Sequence, residues 1–257
     1  MTVPPVLSLT ESQELSVLRA FLLTAVPLGV DVVRGQGNRV AEPTDADFVV
    51  FWPLRQSRLA TNIAEYYDNV ITGSIVGTTL TVGTIAKSES PLSAGMLLTD
   101  GTAGQIASKT ILGIQVSGSV GGTGIYNVLP SQTLPAETLY AGQTAYLTPV
   151  EWTVQCDVHG PNSGDNARII DTLFRSETGV NTFIASATAL GLPTDYGVIP
   201  LYCDEARYLP FLNDQQQVEY RWVLELRMQI NPIVSVPLDF ATSIDVMALP
   251  ADIVYTP

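Results

Sequence analysis

The stretch EWTVQCDVHGPNSGDNARIIDTLFRS, Glu151 to Ser176, decides how the chain is read. Its first half alternates: Trp152, Val154, Cys156 and Val158 fall on one side, Thr153, Gln155, Asp157 and His159 on the other. Successive side chains of a strand point to opposite faces, so this predicts a strand with one face on a core and the other on water or a partner. Gly160, Pro161 and Asn162 then predict a turn. Ser163 is placed to cap a helix by accepting from its first amides, with Asp165 favourable in the first turn. Ala167, Ile170, Leu173 and Phe174 recur at three and four, the spacing of a helix with one buried stripe. Strand, tight turn and helix make half of a sheet with a helix laid back on it.

The partner strand is expected at Val218–Ile230. Val218, Tyr220, Trp222, Leu224, Leu226, Met228 and Ile230 alternate there with a second set containing Glu219, Arg221, Glu225 and Arg227. A helix would scatter these apolar residues around its circumference. At about 3.3 Å per residue a single strand of this length runs roughly 40 Å, beyond the usual range. One end is therefore expected to reach past the body toward a neighbouring subunit.

The chain has 257 residues, enough for one large domain or two ordinary ones with a substantial core. Its net charge of -13 is uneven. Residues 1–69 hold 8 acids and 5 bases, residues 70–149 hold 3 and 2, and residues 150–257 hold 14 and 5. Such acidity argues against a protein that grips phosphate backbones, because that affinity comes from Lys and Arg displacing counterions. It leaves open a surface past which DNA slides. Cys156 and Cys203 make no disulfide framework, and a reducing compartment is expected. The sequence has neither a signal-peptide pattern nor an apolar run long enough to span a bilayer.

Taken in order, residues 1–9 read as an arm. Thr10 and Gln13 form a capping box, after which Leu15, Leu18 and Leu22 line one face of a helix that stops near Pro27, with Gly29 following. Val30–Arg34 reads as a strand, residues 35–38 as a turn, and Asp47–Trp52 as a central strand ended by Pro53. Leu59–Tyr67 leans toward strand. From about Val70 to Gln143 the chain turns rich in Gly, Thr, Ser and Val. A hairpin is expected there from Ile71–Ile75 and Thr79–Ile85, joined near Gly77. Short strands follow at Met96–Leu98, Thr110–Gln115 and Gly124–Leu129. The simplest account is a small all-β domain, residues 70–143, spliced into a discontinuous domain of residues 1–69 and 144–257. Beyond the second helix, Val180, Phe183, Ile184 and Ala187 predict a third, stopped by Gly191 and Pro193. Val198–Cys203 is a short strand, Asp204–Asp214 a loop, and Asp239–Ile244 a possible short helix in the tail.

The search for chemistry returns little. Cys156 and His159 point to opposite faces of an alternating strand, and one His with two Cys is too few for a structural zinc site. No G-x-S-x-G elbow surrounds a serine. The run SGSVGGTG, Ser117–Gly124, lacks the Gly-Lys-Ser/Thr ending of a phosphate loop and leads into a strand-like stretch. Asp157, Glu219 and Glu225 suggest a metal nuclease only weakly, because the two lysines, Lys87 and Lys109, both lie in the Gly/Thr-rich stretch. Neither a catalytic set, a metal site nor a cofactor is expected. The row Glu219, Arg221, Glu225 and Arg227 is either a solvated face or a contact surface whose charges fix register.

The outer part of the chain resembles the tail terminator (neck terminator) proteins of tailed bacteriophages. The resembling segments are Leu15–Pro43, Asp47–Asn62, Val154–Arg175 with its DVHGPNS turn, and Leu209–Pro232 ending in NP, followed by VPLDF. The resemblance implies an α+β fold, a mixed and mainly antiparallel sheet flanked by helices, with the β insert as an addition. It implies a structural, non-enzymatic virion protein at the head–tail junction, assembled in the host cytoplasm. Its subunits form a hexameric ring that ends tail-tube growth and joins the tail to the head connector. The expected partners are other copies of the chain, the head-completion (stopper) protein, the tail tube protein, and the sheath of a contractile tail. Genomic DNA passes through the lumen without specific binding, and no membrane is involved. Arg55, Arg58 and Asn62, with the row Glu219, Arg221, Glu225 and Arg227, are the candidate subunit-contact residues. A different reading is a virion decoration or adhesion module that binds glycan or capsid through the β insert, whose aromatic residues are Tyr126 and Tyr140.

Overall fold

The computed structural model describes residues 5–35, 46–100, 105–192, 197–212 and 218–238. More than half of these lie in strands, and three helices accompany them. The chain opens with β1 (Val6–Leu7), α1 (Glu11–Ala25), β2 (Asp31–Arg34) and β3 (Phe48–Arg58). It continues through β4 (Ile63–Lys87), β5 (Leu97–Asp100), β6 (Thr110–Gly118), β7 (Gly124–Leu147) and β8 (Val150–His159). After α2 (Ser163–Phe174) and α3 (Glu177–Ala189) come β9 (Ile199–Cys203), β10 (Arg207–Tyr208) and β11 (Phe211–Leu212). The described chain ends with β12 (Val218–Glu219), β13 (Arg221–Ile230) and β14 (Ile233–Pro237). These elements divide into two compact units, one of residues 1–6, 66–145 and 235–257, the other of residues 7–65 and 146–234.

The first unit is all β. β7 pairs with β5, β6, β4 and β14. The expected hairpin is one continuous run, β4, that folds back on itself: Gly73 lies against the Thr81 carbonyl, and Gly77 at the bend has φ +66°. Ile71, Ile75, Leu80, Leu98, Leu112 and Tyr126 belong to its core.

The second unit holds the helices and the sheet ordered β10-β13-β8-β3-β2, with β9 also on β13. β2 runs parallel to β3; the other pairings are antiparallel. β8 and β13 pair over ten residues, from Arg221 opposite His159 to Ile230 opposite Val150. Trp152, Val154, Cys156 and Val158 therefore face the same way as Met228, Leu226, Leu224 and Trp222, and β3 adds Val49 and Phe51 to that face. The three helices cover it. Each contributes one ring to an aromatic cluster, Phe21 to Phe174 at 5.6 Å, Phe21 to Phe183 at 5.2 Å and Phe174 to Phe183 at 5.8 Å. No helix among the described residues is long and apolar enough to cross a membrane.

Local chemistry sets the ends. Thr10 and Gln13 form the expected capping box, with the Thr10 N–H donating to Gln13 Oε1 at 2.9 Å. At the turn after β8, Gly160 has φ +102°, and a Cβ there would collide with the Ala46 carbonyl. The cap of α2 differs from expectation. Ser163 is its first residue and Asn162 its cap, yet Asn162 makes no side-chain capping bond. Its backbone N–H and side-chain amide instead donate to Asp47 at 2.9 and 2.7 Å, so the turn is clamped from β3's side. Ser176 caps α3 as a short N-cap should, accepting from Gly179 N–H at 3.2 Å.

Two strand expectations need correction. β3 does not end at Pro53 but continues to Arg58, with its register shifting between Pro53 and Arg55. Proline is tolerated there because the ladder is already irregular and β2 reaches only to Phe51. The stretch from Val218 is not a single overlong strand. It breaks at Tyr220 into β12 and β13, and β13 is used along its whole length inside its own sheet. Residues 36–38, Pro193, residues 213–214 and Asp239–Ile244 lie outside the described residues.

Glu14, in the first turn of α1, is 3% exposed, and burial, then the Glu11 charge, push its carboxyl up to about 7. A carboxyl raised in the fold favours its protonated form there, so stability falls as pH climbs from the unfolded value near 4.5 toward 7 and stays lower above. Glu14→Gln is expected to raise the melting temperature at pH 8 by about 2–4 °C, the shift for roughly 1 kcal/mol in a chain of this size, and to leave it unchanged at pH 4.5. Thermal melts across that range check this; equal gains at both pH values would refute it.

Candidate subunit-contact face

The register that buries one face of the second unit's sheet turns the other set of side chains to the opposite side. Phe48, Val50 and Trp52 of β3 lie there beside His159, Asp157 and Gln155 of β8, and Arg221, Val223, Glu225 and Arg227 of β13 complete the row. Arg227 is its hub. It donates to Glu151 at 2.9 Å and to Asp204 at 2.8 Å, has a Glu225 oxygen at 3.9 Å, and sits 5.4 Å over the Tyr202 ring. Hydrogen bonds to Asp204 and Glu151 push its guanidinium above the ordinary value, so it is a fixed charge. Arg207 holds Glu225 from β10 at 2.8 Å. Thr153, nearly fully buried, has a hydroxyl with no hydrogen-bond partner among the described residues.

The other end of the face is aromatic. Phe48 stacks on His159 at 4.5 Å, and Phe211 meets the same imidazole edge-on at 5.8 Å. Arg221 lies 5.4 Å from the Phe211 centroid, donates to the Leu209 carbonyl at 3.2 Å and pairs with Asp157 at 3.6 Å. Burial pushes the Asp157 carboxyl up, opposed by the Gln155 hydrogen bond and then by the charges of Arg221 and His159. From this anchored base β11 and β12 pair as a small ribbon, Phe211 opposite Glu219 and Leu212 opposite Val218.

The seven expected contact residues fall into separate places. Arg221, Glu225 and Arg227 do share one face, but each is engaged by partners within the chain. Glu219 is not in their row, because the break at Tyr220 moves it onto the ribbon. Arg55 and Arg58 are exposed at the far end of β3, and neither makes an ion pair with a described residue. Asn62, also exposed, accepts from the Thr148 hydroxyl at 3.2 Å. Cys156 is in the core and His159 on the opposite face. Burial pushes the Cys156 thiol well up and the Cys203 thiol to about 12, so both are neutral thiols at physiological pH. Among the described residues no group of three or more His, Cys, Asp and Glu is arranged to hold a metal ion.

Sequence reasoning missed Glu151, Asp204 and Arg207 as the partners of the row. It also missed the ribbon, whose one signal was an apolar Leu-Pro-Phe-Leu run, residues 209–212, inside a presumed loop.

A sequence model of the phage neck terminator protein family matches residues 112–255, more than half of the chain. The chain belongs to the phage neck terminator protein family. No curated protein matches it. The match begins inside β6, within the Gly/Thr-rich stretch, so Val154–Arg175 and Leu209–Pro232 lie in it, while Leu15–Pro43 and Asp47–Asn62 precede it. Membership places the protein in the virion, with a structural role in the tail and neck and in association with other proteins of the head–tail junction.

Arg227 and Glu151 are each about 15% exposed, so removing the cation strands the Glu151 carboxylate, while Asp204, 39% exposed, keeps water. Arg227→Met is expected to cost about 2–3 kcal/mol, short of the range for a fully buried pair, with a loss in melting temperature independent of protein concentration. Adding Glu151→Gln should return part of it. Melts at two concentrations decide: a loss that appears only on dilution would mean the hub works between subunits instead.

Proposed function

We propose that the chain forms a hexameric ring that ends tail-tube polymerisation and joins the tail to the head connector, with DNA passing through its lumen unbound. Family membership carries this reading. The acidity supports the conduit: a net charge of -13 repels the phosphate backbone and keeps DNA from sticking to the wall. Its partners are other copies of the chain, the stopper protein, the tail tube protein and, in a contractile tail, the sheath. Assembly takes place in the host cytoplasm, and the protein works without catalysis or cofactor. In this reading the α+β body, residues 1–69 and 144–257, builds the ring and residues 70–143 are an insert. Arg55, Arg58, Asn62, Glu219, Arg221 and Glu225 are placed at subunit contacts together with Arg227, whose own bonds are within the chain and whose part is to hold that face in register. The decoration or adhesion reading gains nothing from the insert's aromatics, since Tyr126 is buried with its hydroxyl on the Gly122 carbonyl and Tyr140 is half-buried.

A phage with a stop codon early in this reading frame, grown in a non-suppressing host, is expected to yield filled heads and separate tails, visible in negative stain. Joined particles of normal infectivity would sink the proposal. Light scattering on the purified wild type should give the mass of a ring, and charge reversal at Arg221 should shift it toward monomer.

A further inference from the structure

Resting on the ring reading, we propose that the ribbon of one subunit docks head to tail on the Arg55–Arg58 end of β3 in the next copy of the chain. The two surfaces lie at opposite ends of one sheet. Phe48, His159 and Arg221 mark the ribbon end and Arg58, Val150 and Ile230 the other, ten residues away, or roughly 30 Å.

The ribbon end is apolar and acidic. Leu209, Phe211, Leu212, Val218 and Tyr220 are all exposed there, on a base fixed by the Arg221 and His159 contacts. Glu219, opposite Phe211 on the ribbon, is half-buried, and Glu205 is exposed farther back, between β9 and β10 on the edge of β13; neither makes an ion pair with a described residue. Aromatic side chains on a rigid support are what interface anchors are made of, because little freedom is lost when they dock.

The β3 end is apolar and basic. β2 covers β3 only as far as Phe51, so Leu54–Arg58 lie beyond the reach of that neighbour. Arg55 and Arg58 are exposed on this stretch, with Leu54, Leu59 and Ile63 exposed around them. Arg58 also borders a depression of about 290 Å³ that Leu7, Val150, Pro232 and Val234 help to line. That recess can take an apolar side chain, and Arg58 at its rim can meet a carboxylate, while Arg55, opposite Thr153, offers a second cation on the other face of the same strand end.

Charge identifies the occupant. Two copies that each carry -13 repel, and unpaired cations on so acidic a chain are scarce. A second copy brings the Glu219 carboxylate and exposed apolar side chains together on its ribbon, with Glu205 on the strand edge behind it, matching both features of the β3 end. The two patches differ, so the contact is heterologous. A heterologous contact whose rotation closes makes a ring, whereas a patch pairing with itself stops at a dimer.

The test uses the full chain in two variants, Arg55→Glu with Arg58→Glu, and Glu205→Lys with Glu219→Lys. All four positions are at the surface or half-buried, and melting temperature and circular dichroism check that folding is kept. Light scattering should show a ring for the wild type and at least tenfold weaker association for each variant alone. Mixed in equal amounts, the variants should assemble again. In alternating order one contact joins new acids to new bases and the next joins the native pair. Variants that keep the ring would overturn the head-to-tail contact while leaving the ring reading intact. Variants that fall apart and stay apart on mixing would overturn the pairing of these two ends. A wild type that is monomeric alone and with purified tail tubes would remove the ring and this contact together.

Discussion

The second unit depends on one constraint, the ten-residue antiparallel register between β8 and β13. Because side chains alternate with a period of two, a slip of one residue would carry Trp152, Val154, Cys156 and Val158 out of the core and put Thr153, Asp157 and His159 into it. Everything else is placed relative to that pairing. β3 extends it on one side, β9 and β10 on the other, and the three helices cover the face it makes apolar. Gly160 and the Asp47–Asn162 clamp then send the chain straight back over that face, so α2 starts where β8 stops.

The same register decides what the opposite face does with its charges. Side chains that alternate with a core stripe are forced into a row, and a row of like charges would oppose pairing. Here the signs are mixed, and the row recruits its remaining partners from the neighbouring segments: Glu151 from β8, Asp204 from the turn after β9, Arg207 from β10. Arg227 is the member with most to lose, since a guanidinium that is 15% exposed has little water to fall back on. Such a network adds less to net stability than its hydrogen bonds suggest, because desolvation offsets them. Its effect is to fix where β9 and β10 lie, and hence where the ribbon leaves the sheet.

Much of this was legible from residues alone. The alternation of β8, its pairing with β13, the helix stripe of Ala167, Ile170 and Phe174, and the Thr10 capping box are local signals, each with a period or a spacing that one conformation satisfies. What was not legible is non-local or set by a single residue. Pro53 reads as a terminator, yet β3 passes through it because the register shifts at that point. Tyr220 continues the apolar alternation, yet the strand breaks there, and with it Glu219 leaves the row that sequence assigned to it. Ser163 and Asn162 have equivalent capping chemistry, but Asp47, 115 positions earlier, took Asn162 and set the turn. The partners of the charged row could not be found by periodicity, since Asp204 and Arg207 belong to segments with no period.

Arg55 and Arg58 then admit two physical roles that differ in consequence. On a strand stretch left uncovered by its neighbour, charged side chains prevent indiscriminate pairing with other edges, and this protective role needs no partner. On a chain with more than twice as many acids as bases, however, lysine or glutamate would serve for protection equally well, and the acid is by far the commoner choice elsewhere in the sequence. Arg58 at the rim of a recess, with Arg55 and exposed leucines close by on the same strand end, suits the second role. Guanidinium groups bind carboxylates in a fixed geometry, so in the head-to-tail docking we propose the edge would reject apolar strands while accepting an acidic, apolar surface. Protection and selection are then the same device seen by two different partners. A protein that associates with other proteins of the head–tail junction, and not with every exposed edge in the cell, has use for both.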